Sequence, residues 1–444
     1  MLPAGPAERP LIFNSWEATE FDITEQQQTE LAAGLGVEVF VEVFVVDDAW
    51  FGTRTSDMAG LGEWWPNPDR FPDGLGPLAD HVRALGTGFG LWVEPEAVNP
   101  DSDVFRAHPD WNLCQDGRTR TQRRSQHVLD FARRDVREWA VEWLVRTVTE
   151  LDVVFLTWDM NRPFSAAGQP GAADPDPVWI GHTRGAYEVM DQPRAARPGL
   201  YVESCAGGGS RADLGVLAYA DQVWTSDIDA ADRVAIQHGH CQPLPARTMG
   251  AWVTDSPNSF TARPTSVRYR FHVSMTGAMG IGDLRNWSEE ELAWSRILVE
   301  QYKRIRPVVH GGIQYCLEHH AVQYLTEDEV IVFRFQPSAP TRTAARTRLK
   351  GSTPTPATGT RPSCVPTMRR DAVAGVVRLP GIAGQLGTAL TTSSTIGSGG
   401  RSGVWGLRIQ GGGGSRRGAS VTDDNAGGGG PRHRDAAANR ERGR

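Results

Sequence analysis

Two acidic residues that could work as a pair each follow directly on a short apolar run. Phe155-Leu156-Thr157-Trp158 leads into Asp159-Met160-Asn161-Arg162, and Gln222-Val223-Trp224-Thr225-Ser226 leads into Asp227. A strand-end aspartate is more often a helix cap or loop ligand than a catalyst, so neither segment carries chemistry alone. Together they fit glycoside hydrolysis, in which one carboxylate attacks or activates water and a second supplies a proton. Asp47-Asp48-Ala49-Trp50 adds two adjacent carboxylates, of which only one can point inward to hold sugar hydroxyls. Gly90-Leu91-Trp92-Val93-Glu94-Pro95-Glu96 supplies Trp92 for the apolar face of a sugar ring, or equally for core packing. The run Ser204-Cys205-Ala206-Gly207-Gly208-Gly209-Ser210 lets backbone approach a ligand closely. It lacks the Lys-Ser/Thr that a phosphate-binding loop requires.

The elements that must hold these groups read as alternating strands and amphipathic helices, the pattern of a parallel α/β fold. Strand candidates run Val37–Val46, Gly88–Val93, His127–Leu129, Val153–Trp158, Leu200–Ser204, Gln222–Thr225, Met249–Val253 and Ala278–Ile281. Over Asp135–Glu150 the residues Val136, Trp139, Ala140, Trp143, Leu144 and Val148 form one helical stripe. Ser288-Glu289-Glu290-Glu291 opens a second helix, to Arg306, in capping-box style. Eight strands, most followed by a helix, predict a closed (β/α)8 barrel; strand order is not legible, so a doubly wound open sheet stays open. Asp47-Asp48, Glu94, Asp130, Asp159, Cys205, Asp227 and Asp283 all fall at C-terminal strand edges. That rim carries the active site in such barrels, with Asp159 at the mouth of strand four and Asp227 at that of strand six. The first strand holds a tandem repeat, Val37-Glu38-Val39-Phe40 then Val41-Glu42-Val43-Phe44, an even insertion that preserves strand alternation.

Charge divides the 444 residues in two. From Pro337 onward there are 17 Lys and Arg against 5 Asp and Glu, and 29 against 48 before it. Trp405 is the only aromatic in the last 108 residues, apart from histidine. The expected organisation is a catalytic barrel over 1–336 and a low-complexity basic tail over 337–444. Such a tail cannot bury enough apolar surface to order itself. Its Arg/Gly/Pro/Thr-rich text is what a shifted reading frame yields from GC-rich coding sequence. Without interleaved aromatics it predicts no nucleic-acid partner. No apolar run is long enough to span a membrane. The N-terminus has no secretory pattern, and five scattered cysteines suit free thiols, so a cytoplasmic protein is expected. His238-Gly239-His240-Cys241 and Glu318-His319-His320 lack a matching zinc-ligand set, and neither metal nor other cofactor is expected. A homo-oligomer is left open.

Six ordered segments over about residues 10–336 resemble the α-galactosidases of glycoside hydrolase family 36. They are Asn14-Ser15-Trp16-Glu17-Ala18, Asp47-Asp48-Ala49-Trp50-Phe51-Gly52, Gly90–Glu96, Trp158-Asp159-Met160-Asn161-Arg162, Glu203–Gly209 and Trp224-Thr225-Ser226-Asp227. The resemblance implies a retaining α-galactosidase, with Asp159 as nucleophile and Asp227 as general acid/base. It implies a galactose pocket lined by Asp47, Asp48, Trp92, Arg124, Asn161, Cys205 and Gly207, and α-galactoside oligosaccharides as substrates. Galactosyl transfer of the raffinose-synthase type and a non-catalytic fragment are the alternatives. The chain departs from the family pattern at Thr157, where a lysine is usual, and is one residue short at Ile228-Asp229 and at Gly282-Asp283. Ser259 stands where a histidine usually follows Ser256-Pro257-Asn258. The family usually carries β-domains on both sides of the barrel, and none is expected here.

Overall fold

A computed structural model describes residues 8–38, 41–115, 117–165, 167–169, 177–283, 285–317, 320–335, 374–380, 391–394 and 405–408. Eight parallel strands close into a barrel in chain order: β1 (Ile12–Asn14), β2 (Val43–Val46), β3 (Gly88–Val93), β4 (Phe155–Trp158), β5 (Tyr201–Ser204), β6 (Gln222–Trp224), β7 (Met249–Val253) and β8 (Ala278–Ile281). Ile12 closes the ring by pairing with Val43 on one side and Gly280 on the other. The strands are buried on both faces, which explains their unbroken apolar runs. Ile12, Val43, Val45, Phe155 and Trp252 pack together. Gly280 makes room for the Trp252 ring: a Cβ there would stand 1.9 Å from a ring carbon.

The helices are α1 (Glu25–Glu38), α2 (Gly76–Ala84), α3 (Arg134–Glu150), α4 (Pro177–Ala196), α5 (Ala230–His240), α6 (Val267–Ser274) and α7 (Glu289–Gly311), with shorter turns between them. In α3 the residues Val136, Ala140, Trp143, Leu144 and Val148 are buried, as the stripe predicts. Ser288 caps α7 through the Glu291 amide, and the Glu291 side chain returns the bond, so the capping box is present. Trp50 and Trp158 are fully buried, and truncating either to alanine would cost about 3–5 kcal/mol.

Three strand assignments need correction. Ile12–Asn14 is the first barrel strand, too short to announce itself by pattern. The expected ten-residue strand Val37–Val46 shrinks to Val43–Val46, because α1 runs on to Glu38. The two copies of the repeat therefore sit in different structures: Val37 and Glu38 end a helix, while Val43 and Phe44 begin β2 (residues 39 and 40 lie outside the described residues). His127–Leu129 is not a barrel strand. Its residues His127 and Val128 pair antiparallel with Val98 and Ala97, because Gly90–Val93 already pairs with Phe155–Trp158. One strand missed and one added cancel, so Asp159 and Asp227 still follow strands four and six.

The expected barrel over 1–336 ends earlier: β9 (Ile313–Leu317), β10 (Ala321–Leu325), β11 (Glu329–Phe335) and β12 (Ala374–Pro380) form a separate antiparallel sheet in that order, the last strand falling within 337–444. In a separate compact unit, Thr391–Ser394 pairs antiparallel with Trp405–Arg408. Beyond these strands the expected 337–444 tail lies outside the described residues. Cys114, Cys205, Cys241 and Cys316 are free thiols; Cys364 also lies outside the described residues.

Candidate active site

Strand alternation builds the floor of the barrel mouth. Thr157 on β4 is in register with Trp92 on β3 and Glu203 on β5, and Glu203 with Gln222 on β6. Neighbours in register point to the same face, so these side chains form one inward layer. The Thr157 hydroxyl donates to Glu203 Oε1 at 3.4 Å, and the Gln222 amide to Glu203 Oε2 at 2.6 Å. Burial nevertheless raises the Glu203 carboxyl to about 7, with the Asp159 and Asp227 charges pushing the same way against those two bonds. Trp92 is buried and stacks on Phe51, with ring centroids 6.2 Å apart and planes 6° from parallel.

One step up lies Asp159, whose amide donates to Val93 O at 2.8 Å. Its Oδ1 accepts the Met160 amide at 2.7 Å, and its Oδ2 the Asn161 side-chain amide. The Asn161 backbone amide in turn donates to Glu94, so this asparagine ties two carboxyls together. Burial raises the Glu94 carboxyl to about 8; the Asp159 charge adds to this, and Arg54 opposes it. Asp47 accepts from the Asn14 side chain, and its amide donates to Ser15 Oγ at 3.0 Å, so β1 aims it. Burial lifts the Asp47 carboxyl to about 8 as well, despite the Asn14 and Asp48 hydrogen bonds. The adjacent Asp48 is committed elsewhere: Arg54 Nε lies 3.0 Å from Oδ1, and Arg54 Nη2 lies 2.8 Å from Oδ2.

Asp227 stands at the open edge of the mouth, where Trp224 Nε1 donates to its Oδ1 at 2.7 Å. Its carboxyl is raised, first by loss of water in the crowded mouth and then by the Asp159 charge, while Trp224, Arg233 and Arg124 pull it back. Arg233 is fully buried on α5, and none of its three side-chain nitrogens has a hydrogen-bond partner among the described residues. Arg124 has a left-handed backbone (φ 54°) and binds Asp57 at 3.1 Å, close enough for its charge to reach Asp227. The Cys205 amide donates to Trp158 O at 2.7 Å, and its thiol, pushed well up by burial, faces the Asp159 and Asp227 charges. Gly207 has φ 55°, and a Cβ there would meet only Asn161 Oδ1, at 3.9 Å. Its glycine answers a backbone need rather than a shortage of space.

The structure therefore gathers Asp159, Asp227, Asp47, Asn161, Cys205, Gly207 and Trp92 around one mouth. Arg124 acts there by its charge, and Asp48 through Arg54. Sequence reasoning placed Glu94 at the rim without a role, quoted Glu203 and Asn14 only within longer segments, and left out Arg54. Period two would have found the first two, since Glu94 follows Trp92, and Glu203 precedes Cys205, by two residues. Among the described residues no group of three or more His, Cys, Asp or Glu could hold a metal ion. His238 meets Leu317 O at 3.1 Å and His240 meets Thr248 Oγ1 at 3.2 Å. Glu318 and His319 lie outside the described residues. No helix among the described residues is long and apolar enough to cross a membrane.

The chain resembles known proteins over most of its length. The Melibiase family model matches residues 5–312. The chain belongs to the Melibiase family. Within the family, a probable alpha-galactosidase G of Aspergillus terreus is 38% identical over 370 residues, covering 78% of this chain and 50% of that protein. Alpha-galactosidase AgaA of Geobacillus stearothermophilus is 39% identical over 314 residues, 70% of this chain and 43% of its own. A variant of AgaA, solved with 1-deoxygalactonojirimycin, matches with a TM-score of 0.79 at 34% identity, covering 84% of this chain and 56% of that one. A further AgaA variant was solved with raffinose, at the same TM-score and identity. The chain spans about half the length of the curated relatives it matches.

Proposed function

We propose that this chain is the catalytic barrel of a retaining α-galactosidase acting on oligosaccharides such as raffinose, with Asp159 as nucleophile and Asp227 as general acid/base. The observation that carries this reading is the contrast between the two aspartates across one mouth. Asp159 is buried and held by Met160 and Asn161, whereas Asp227 lies at the edge of the mouth, where Trp224 holds it and loss of water raises its carboxyl above the ordinary value. An Asp159 oxygen attacks the anomeric carbon as the bond to the leaving oxygen breaks, and Asp227 gives that oxygen its proton. Asp227, now a carboxylate, takes a proton from water, which attacks the same carbon and releases Asp159. Two inversions leave the anomeric configuration unchanged. Asp47, Glu94 and Glu203, raised to between about 7 and 8, remain able to donate hydrogen bonds at neutral pH to hydroxyls. Asp48, Trp92, Arg124, Cys205 and Gly207 complete the proposed galactose pocket.

The test is the full chain with 4-nitrophenyl α-galactoside, following the anomeric proton of the first-formed sugar by NMR. Release of α-galactose before mutarotation supports the reading. First-formed β-galactose would overturn retention. No turnover would overturn hydrolysis, and a galactosylated acceptor in place of free galactose would favour transfer.

A further inference from the structure

The turn after β7 is bonded directly to the segment that carries Asp227. Asn258 reaches across with its side-chain amide to Asp227 O at 3.3 Å, and its Oδ1 accepts the Phe260 and Thr261 amides at 3.1 and 3.2 Å. Thr261 Oγ1 donates to Asp229 Oδ2 at 2.8 Å, and Arg263 Nη1 to Asp229 Oδ1 at 2.8 Å. The turn is thus fastened to the Asp227–Asp229 segment from both sides. On it Phe260 stands 72% exposed, on the same turn as the Asn258 that bonds Asp227 O. An apolar ring on a stiff support beside a polar cleft fits a ligand that has both an apolar face and hydroxyl edges.

We infer that Phe260 is the platform of an aglycone subsite, on which the saccharide leaving from the Asp227 side stacks. The inference rests on the proposed role of Asp227. A general acid must contact the glycosidic oxygen, so the leaving saccharide has to lie on the side of the mouth that holds it. The turn bonded to Asp227 O is therefore next to that saccharide. Phe260 lies outside the proposed galactose pocket, so its effect should depend on what is attached to galactose. Specificity for the leaving saccharide would then be set on the β7 turn, apart from the residues that do the chemistry.

The full chain carrying Asp159→Ala, which should not turn raffinose over, and its Phe260→Ala and Phe260→Trp variants would be titrated calorimetrically with galactose and with raffinose, which adds a sucrose aglycone. Phe260→Ala should lower the raffinose-to-galactose affinity ratio by about tenfold, the loss of one covered aromatic contact. Phe260→Trp should keep it. An unchanged ratio, or equal loss for both sugars, would overturn the inference, as would sedimentation showing that Phe260→Ala splits an oligomer into smaller species. Binding of neither sugar would sink the inference together with the proposed function. Binding without turnover of the aryl galactoside by the parent chain would sink the hydrolase reading alone, leaving Phe260 to be judged by the ratio.

Discussion

Glu94 and Glu96 stand two residues apart beyond the same strand, and both are shielded from water. Glu94 faces the barrel mouth among Asp159, Asp48 and Asn161, and its carboxyl is raised to about 8 by burial first and the Asp159 charge second. Glu96 faces the wall behind it. There Arg211 Nη1 and Trp158 Nε1 each lie 2.7 Å from Oε1, and His182 lies 3.4 Å from Oε2. Burial would raise Glu96 too, but Arg211 and His182 outweigh it and hold the carboxyl at about 2. Burial alone does not decide the charge of an acid; the cation placed against it does. The wall sets a cation against its structural carboxylate, whereas in the mouth Asp48 alone among the described residues is paired in this way and Asp47, Glu94 and Glu203 are held by neutral hydrogen-bond donors.

The largest effects should come from the mouth. Asp159→Ala should reduce turnover of every substrate by roughly four orders of magnitude, since no other group can form the covalent intermediate. Asp227→Ala should spare the first step for substrates whose leaving group needs no proton, such as a dinitrophenyl galactoside. Burst kinetics on that substrate beside melibiose check the difference. Equal loss of the first step on both would exchange or dissolve the assigned roles.

Stability should separate the two glutamates next. Glu96→Gln leaves Arg211 facing a neutral group, at a cost of about 3 kcal/mol near pH 7. Glu94→Gln removes a carboxyl that is protonated there already and should cost less. Their pH dependences have opposite signs. Glu96, held at about 2, contributes stability that is present above its ordinary value of 4.5 and lost as pH falls toward 2. Glu94, raised to about 8, contributes most below 4.5 and loses that contribution as pH rises from there through 8. Urea unfolding at pH 5.5 and pH 8 should therefore show a smaller loss of stability for Glu94→Gln than for the parent. An identical loss in the two proteins would show that Glu94 titrates as in the unfolded chain.

The same division marks what could be read from the sequence. The barrel was legible because strands covered on both faces are written as apolar runs, and helices such as α3 as stripes. β1 was not, because three residues carry no periodicity and its place is settled by partners at Val43 and Gly280, far away in the chain. The repeat misled because identical letters were expected to fold identically, whereas α1 claims its beginning and β2 its end. Asp159 and Asp227 stood out by position at strand ends. The partner of Glu96 could not be found that way: Arg211 lies 115 residues on, in the loop after β5, and only closure of the fold brings it back. Long-range pairing was the hidden part, not the strand-end positions of the two aspartates.

Thr157 sharpens the contrast at its boundary, since it lies in the mouth and faces a carboxyl without a close cation. Sequence comparison with the family pattern suggests that a lysine there would bond sugar hydroxyls, and the structure adds Glu203 as its neighbour. With Glu203 Oε1 3.4 Å from the Thr157 hydroxyl, an ammonium at this position would meet a carboxyl already raised to about 7 by burial. The pair would pull the Glu203 carboxyl down and share the cost of desolvating the lysine, which an isolated buried ammonium could not avoid. Thr157→Lys should then raise kcat/KM on an α-galactoside about tenfold, as one charged hydrogen bond of about 1.5 kcal/mol would. It should also leave the melting temperature within a few degrees of the parent. A gain that disappears in Thr157→Lys/Glu203→Gln would show that the lysine works through Glu203. A folded single variant with unchanged or lower kcat/KM would mean that the mouth already binds sugar as well with threonine there. A steep drop in melting temperature would show that Glu203 cannot serve as the counter-charge.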